Sequence, residues 1–406
     1  MKTIVFIGSN QFGTSHEALR AAKEMGYSVI LFTDKRQHLQ HHKFPDVDQI
    51  VYFHDLFDEI QVLKELEALK TSGKQLCACV SFIDPFVSYT AKLASELGLF
   101  RLSADALAIM ENKIKVRDQL KHLPTSPFYA VYDSHTSIKD FTKKNELSIP
   151  LIIKSPVSNG SKDVFLAETA EEFKVNLQSL HNQTPDLPIL IEEYLIGPQY
   201  LVEVLVLNGH IEIVCVIEQE TTYPDIFIVV GYQFPAQLKD DEYLSLTKSV
   251  QDIIQQLGLQ NGSCHLEMKN VHGAWKLVEI NPRMSGGAMN RIIEEGTGIN
   301  LVKEILKLNV GEEVSLIRSR DFHVYAKYLT FETSGKLLHV TGEDLAWEHD
   351  GVKYVYVKPI VGKIVTAPYS MGNRYACVIA AANSPEGAKA TALSAAQEIK
   401  FYVEPF

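Results

Sequence analysis

The residues best able to do chemistry stand in one stretch, GSCHLEMKNVHGAWKLVEINPRMSGG, residues 262–287. It divides into two apolar runs, 265–269 and 275–280, joined by a turn at His272 and Gly273. Each run carries one acid among hydrophobic neighbours, Glu267 and Glu279. Alternate residues of a strand share a face, so Glu279 and Asn281 point to one side and Arg283 follows them. If the runs pair as a hairpin, Glu267 lands beside that set. Two carboxylates brought together repel, and burying them is costly unless they are paired or metal-bound. A hard cation such as Mg²⁺ takes oxygen ligands and shares them with phosphates. Arg283 would then offer a forked cation to a phosphate. The same spacing also fits an edge hairpin whose acids face water.

Three further groups have chemical potential. Lys154 sits in an apolar strand immediately before the small-residue loop 155–161, SPVSNGS. Backbone N–H groups around Ser158, Gly160 and Ser161 could cradle phosphates, with the lysine as a point charge. Asn159-Gly160 is equally an ordinary hairpin turn signal. Lys113, with Lys115 and Arg117, reads as a solvated helix face or a phosphate contact. Glu192, Glu193, Tyr194 and Leu195 end an apolar strand before a Gly197-Pro198 turn. Such an end offers backbone groups to a base edge, and it also suits a plain strand terminus.

The elements that must hold these groups follow from periodicity. Residues 1–105 alternate apolar strands with helical segments, which implies an open parallel α/β sheet of Rossmann-like kind. Gly8 and Gly13 lack the third glycine of a dinucleotide fingerprint, so they read as a sharp strand-to-helix turn. Asp84, Pro85 and Phe86 lie at the carboxyl end of a strand, where open sheets bind ligands. Residues 106–149 read as a helical linker. Residues 150–207 and 208–310 mix hairpins with helices, an α+β pattern, and 311–406 are mostly strand with a final alanine-rich helix.

Composition narrows the function classes. The chain has 406 residues, enough for two or three domains. Its net charge of −11 argues against a nucleic-acid binder. The scattered five cysteines give no zinc pattern and suit a reducing compartment. No apolar run approaches the ~20 residues that span a bilayer. With no signal-peptide architecture, a cytoplasmic location is expected. No Ser–His or Cys–His nucleophile constellation is evident.

Taken in order, a lysine before a helix, a lysine before a small-residue loop, E-E-Y-L, and E…E-I-N-P-R-M-S-G-G resemble the ATP-grasp family. Asn373-Arg374-Tyr375-Ala376 before the alanine-rich helix resembles the C-terminal part of its carboxylate–amine ligases. The resemblance covers nearly the whole chain. It implies an N-terminal domain (1–105), a linker opening the grasp (106–149), a mobile lid (150–207), a catalytic subdomain (208–310) and a C-terminal α+β part (311–406). It implies ATP as cofactor, with Lys113 and Lys154 on its phosphates and Ser158, Gly160 and Ser161 in the covering loop. Adenine would lie against Glu192, Glu193, Tyr194 and Leu195. Glu267, Glu279 and Asn281 would bind two Mg²⁺, for which Mn²⁺ can substitute, and Arg283 would steady the transferring phosphoryl group. Gln199 stands where many relatives have a ribose-binding glutamate, leaving Glu203 as the back-up.

Within the family the arrangement is similar to bacterial L-amino-acid ligases that make dipeptides through an acylphosphate. This implies small amino-acid substrates, methionine first and a small residue such as glycine second, and it allows a homodimer. Arg291 is the candidate cation for a substrate carboxylate, beside Ser285, Gly286 and Gly287. Asp84, Pro85 and Phe86 would line the side-chain pocket, and Pro85→Gly is expected to broaden the choice of first substrate. Purine-biosynthetic ligases, biotin-dependent carboxylases and a non-catalytic ATP-binding protein are the alternatives.

Overall fold

Four parallel strands open the chain, in the order Gln49–Tyr52, Ser28–Thr33, Lys2–Ile7, Gln75–Val80. Ser28–Thr33 is buried at every position, as expected for a parallel strand covered on both faces. The helices Thr14–Glu24, Glu59–Thr71 and Val87–Glu96 supply that cover. In this computed structural model every residue is described except Ser134, Ser158, Asn159, Ser161, Pro224, Asp225 and Pro359. For His41, Thr222, Tyr223 and Ile226 only the backbone is described.

A second, antiparallel sheet runs Tyr129–Tyr132, Ile189–Glu193, Leu151–Lys154, Val164–Ala167. The helix Ala170–Gln183 covers it through Phe173, Leu177 and Leu180, which share one helical face at three- and four-residue spacing. Thr169 caps that helix by accepting from Glu172 N at 3.2 Å.

The largest sheet has eight antiparallel strands and forms the floor of the molecule. Its order is Ala274–Asn281, Gly262–Val271, Gln199–Leu207, His210–Tyr223, Ile226–Phe234, His323–Leu329, Ala376–Ala382, Val352–Val357. Two strand assignments differ from those expected. Tyr129–Tyr132, inside the segment read as a helical linker, pairs with Ile189–Glu193. Gln199–Leu207, expected in the lid, pairs instead with strands of the large sheet on both its edges. The Gly197-Pro198 break explains the second difference, because it ends one sheet and lets the chain enter another. The helix Pro385–Glu398 packs its alanines, Ala388, Ala392, Ala395 and Ala396, against this floor. A small sheet of Ile364–Val365, Gly335–Thr341 and Lys400–Pro405 completes the chain. Among the described residues no helix is long and apolar enough to cross a membrane.

The first strand-to-helix turn reaches the large sheet directly. Thr14 Oγ1 donates to Ser285 O at 2.8 Å. Gly13 has φ +80°, and a Cβ there would lie 3.1 Å from Gly287 O. Gly13 therefore serves both its own backbone angle and a close approach.

Candidate active site

Gly262–Val271 and Ala274–Asn281 form the antiparallel hairpin that the sequence suggests. His272 and Gly273 close it with φ of 51° and 87°, the left-handed pair that a two-residue turn needs. The register sets Glu267 opposite Glu279 and His265 opposite Asn281. It then slips, leaving Val278 as an extra residue, a bulge that disrupts the ladder locally. The Val278 carbonyl accepts from Arg117 Nη2 at 2.7 Å and from Lys154 Nζ at 3.4 Å.

Charge on the hairpin is unevenly settled. Burial and the facing Glu279 push Glu267 up to about 7. Burial opposes ionisation of Glu279 too, but Lys113 and Lys154 outweigh it and hold that carboxyl below its usual range. Lys113 Nζ stands 3.3 Å from Glu279 Oε1. Lys113 is placed there because Asn112 caps its helix, accepting from Ile114 N and Lys115 N at 3.1 Å each.

His265 orients the amide. Its Nδ1 lies 2.7 Å from Arg283 O, and a carbonyl can only accept, so Nδ1 carries the proton. Nε2 is then an acceptor and faces Asn281 Nδ2 at 3.3 Å. Burial, with Arg283 next in weight, pushes the imidazole down to about 4, so the ring is neutral. Asn281 Nδ2 also donates to Glu279 Oε1 at 3.3 Å. The amide nitrogen is thus committed to protein, and Oδ1 is the atom left for a cation.

Above the hairpin, Lys154 and Arg117 share one carboxylate. Lys154 Nζ is 2.5 Å from Glu192 Oε2, and Arg117 Nε pairs with Glu192 Oε1. All three side chains are at most 6% exposed. Arg117 therefore lies inside, whereas the sequence suggested a solvated face. Of the three basic residues on that helix, Lys113, Lys115 and Arg117, only Lys115 is exposed. Burial works against the charge on Glu192, and Arg117 and Lys154 reverse it, lowering its pKa.

Lys113, Lys154, Glu192, His265, Glu267, Glu279 and Asn281 line a cavity of about 290 Å³ between the lid sheet and the floor, with Arg117 behind Glu192. Glu192, Glu193, Tyr194 and Leu195 line it, but the Glu192 side chain is the counter-ion just described. Glu193 Oε1 accepts from Phe128 N at 2.8 Å, Tyr194 N donates to Pro150 O at 3.2 Å, and Leu195 O accepts from Lys269 Nζ at 2.9 Å. Gln199 lines the cavity too, donating to Gln219 Oε1 at 2.9 Å and Glu267 Oε2 at 3.2 Å. Glu203, on the same strand face, lies further along beneath Ser285. Its Oε1 accepts from Ser285 N at 3.0 Å and from Ser285 Oγ, and burial raises it to about 7. Glu203 is thus a support for the Ser285 backbone, outside the cavity lining. Gly160 lines the cavity, with φ +68°, and its carbonyl accepts from Met371 N at 3.1 Å. Ser158 and Ser161 lie outside the described residues.

The expected substrate residues divide. Arg283, Ser285, Gly286 and Gly287 line the cavity; Asp84, Pro85, Phe86 and Arg291 do not. Asp84 Oδ2 accepts from Arg283 Nε at 2.8 Å and also pairs with Nη2. Pro85 is exposed. Phe86 is buried and stacks on Phe57 with ring centroids 4.8 Å apart. Arg291 Nε sits 3.0 Å from Glu17 Oε1, and its guanidinium lies over the Tyr354 ring. The arginine that does enter the cavity on this side is Arg374.

Comparisons with known proteins fit this geometry. Residues 19–99 match the ATP-grasp N-terminal domain, 147–291 the ATP-grasp domain and 327–404 the L-amino acid ligase C-terminal domain 2. The chain thus carries an ATP-grasp domain between an ATP-grasp N-terminal domain and an L-amino acid ligase C-terminal domain. An L-amino acid ligase from Bacillus licheniformis shares the fold at a TM-score of 0.85 and 19% identity, covering 100% of this chain and 99% of that one. Phosphoribosylglycinamide synthetase from Anaerococcus prevotii also shares it, at 0.75 and 17%, with 100% of both chains covered. An L-arginine-specific L-amino acid ligase of Bacillus subtilis is 23% identical over 66% of this chain and 65% of its own. An uncharacterised protein of Sinorhizobium fredii is 27% identical over 64% of this chain. The chain spans 55–57% of the length of the first curated relatives it matches.

In this ATP-grasp site the residues present fit a hard divalent cation. Glu267 and Glu279 face each other where burial and the neighbouring carboxylate raise Glu267, and Asn281 adds an oxygen. Among the described residues no group of three or more His, Cys, Asp or Glu could hold a metal, so the set consists of two carboxylates and an amide. Sequence reasoning missed His265, Arg117, Lys269 and Arg374 as site residues. His265 was within reach, since it precedes Glu267 by two and shares its face. Arg117 and Arg374 depend on packing between distant segments.

Proposed function

We propose that this ATP-grasp protein joins an amino acid to a second amine-bearing amino acid at the expense of ATP, through an aminoacyl phosphate. The facing pair Glu267 and Glu279, below Lys113 and Lys154 in one cavity, carries this reading. It provides oxygen ligands and cations where a triphosphate must be held and discharged. Divalent cations held by Glu267, Glu279 and Asn281 would neutralise charge on the phosphates, as metals do in phosphoryl transfer.

The chain's own residues do the rest. Lys154 would exchange Glu192 for phosphate oxygens, and Arg117 keeps Glu192 compensated when it does. Glu193 to Leu195 would hold the base, and Gln199 would offer an amide to the ribose. Arg283, oriented by Asp84, would bind the transferred phosphoryl group beside the acyl carbon. A carboxylate oxygen of the first substrate attacks the γ-phosphorus, the bond to ADP breaks, and the mixed anhydride forms. The amine of the second substrate then attacks the acyl carbon, phosphate leaves, and the amine loses a proton. Water must be kept out between the steps, and the lid sheet, taken as 129–193, is suited to that. The Asp84-Pro85 loop would influence the first substrate through Arg283. A first substrate such as methionine and a small second one such as glycine stay part of this reading, as does a cytoplasmic location, which the five free thiols suit.

A purine-pathway ligase is the second reading, because that fold superimposes over the full chain. The L-amino acid ligase C-terminal match favours the first, since residues 327–404 bring Met371 and Arg374 into the cavity. Mass spectrometry of products from amino-acid pairs with Mg-ATP tests it. ADP, phosphate and a dipeptide are expected. AMP, or ADP formed only with bicarbonate or a phosphoribosyl amine, would overturn it.

A further inference from the structure

The cavity wall opposite the hairpin holds a cation of a different kind. Arg374 Nη1 donates to Val229 O at 3.3 Å and to Tyr232 Oη at 3.2 Å. Its guanidinium carbon lies 3.9 Å from the centroid of the Tyr328 ring. All of these partners are neutral, and among the described residues no carboxylate pairs with Arg374. Its Nη2 would lie 3.5 Å from a Cβ placed on Gly287, so that glycine keeps the space in front of the guanidinium clear. A second cation stands close by. Lys358 Nζ donates to Gly372 O at 2.5 Å, and burial together with Arg374 lowers its pKa.

The backbone that carries Arg374 is rigidly held. Asn373 Oδ1 accepts from Ser370 N at 3.0 Å, and its Nδ2 donates to Thr366 Oγ1 at 2.8 Å. A guanidinium fixed in a cavity with only neutral partners leaves its charge uncompensated until an anion arrives. The planar fork matches a carboxylate.

We propose that Arg374 is the receptor for the free α-carboxylate of the amine-donating amino acid. This rests on the ligase reading above. The activated carboxylate is consumed as the acylphosphate forms and belongs near Arg283 and the phosphates. The donor's carboxylate persists through the reaction and needs a permanent cation elsewhere in the cavity. Arg374 is a positioning residue: it fixes the donor so that its amine faces the acyl carbon, and it selects donors that carry a free carboxylate.

The test compares a donor amino acid with its α-amide, at a fixed first amino acid and saturating Mg-ATP. The wild-type protein should prefer the free carboxylate in kcat/KM by about 10- to 100-fold, the range of a charge-assisted hydrogen bond. Arg374→Gln should reduce that preference to within about twofold, mostly by raising the KM of the free amino acid. Arg374→Lys, which keeps the charge but loses the fork, should fall between them. An unchanged preference in a folded Arg374→Gln protein overturns the assignment. If Arg374→Gln does not fold, Arg374→Lys decides, and a preference equal to the wild type's overturns it as well. Hydroxylamine as the amine separates the two readings. Wild-type protein forming no hydroxamate from any amino acid defeats the ligase reading itself, whereas hydroxamate with no preference for the donor's carboxylate defeats only the role of Arg374.

Discussion

The two ends of one cavity carry their positive charge in opposite ways. At the hairpin end four cations are matched by carboxylates, Lys154 and Arg117 with Glu192, Lys113 with Glu279 and Arg283 with Asp84, while Lys269 donates to the Leu195 carbonyl. At the C-terminal end Arg374 has a carbonyl, a hydroxyl and an aromatic face. The difference teaches what each end is for. A paired network holds the cations in place in a dry interior before a triphosphate arrives, and the carboxylates can be released to other partners. A cation left among neutral groups is tuned for one incoming anion.

Breaking the paired end should have the largest consequence. Glu279→Ala removes a cation ligand and the partner of Lys113, and turnover with Mg-ATP should fall by about a thousandfold or more. Steady-state phosphate release checks this, and turnover within tenfold of wild type would remove Glu279 from the mechanism. Stability should then separate the two ends. Arg117→Met strands the buried Glu192 with one cation fewer and should cost about 3–5 kcal/mol in denaturant unfolding. Arg374→Met strands no carboxylate and should cost about 1 kcal/mol. Equal losses would erase the contrast.

A smaller effect is expected at His265→Gln. Losing the ring that turns Asn281 should raise the Mg²⁺ concentration needed for half-maximal activity about tenfold, with KM for ATP moving less. The smallest effect is a pH dependence. Glu267, raised to about 7, binds its proton more tightly when folded than unfolded. In metal-free protein its contribution to stability is therefore greatest below about pH 4.5 and is lost as pH rises towards 7. A divalent cation must displace that proton, so the thermal shift produced by Mg²⁺ should be larger at about pH 8 than at about pH 6. A Glu267→Gln protein should lose this difference.

Much of the site was legible because it is local. Glu267, Glu279 and Asn281 fall on one face by strand alternation, and the His272-Gly273 turn fixes their register. Lys154 and Gly160 likewise follow from a strand and the loop after it. What could not be read depends on packing between distant segments. Arg117 lies in a helix with no strong amphipathic pattern, and only the tertiary fold shows that it turns inward to Glu192, 75 residues away. Glu203 looked like a spare ribose ligand because it repeats the face of Gln199. The Ser285 backbone covers that face two repeats of the pleat later. Arg291 and Arg374 look alike in sequence, yet Glu17 and Tyr354 claim the first, while Gly287 leaves the second open to the cavity. Tyr129–Tyr132 was read as linker because four residues between prolines and polar runs are too short to betray a strand.

The most direct test of the account follows an atom. A first amino acid labelled with heavy oxygen in its carboxylate is incubated with Mg-ATP and an amine donor, and the released phosphate is analysed by mass spectrometry. Transfer of one labelled oxygen to inorganic phosphate is the result predicted for an aminoacyl phosphate formed beside Arg283. Dipeptide accompanied by unlabelled phosphate, or by label in AMP, would contradict it.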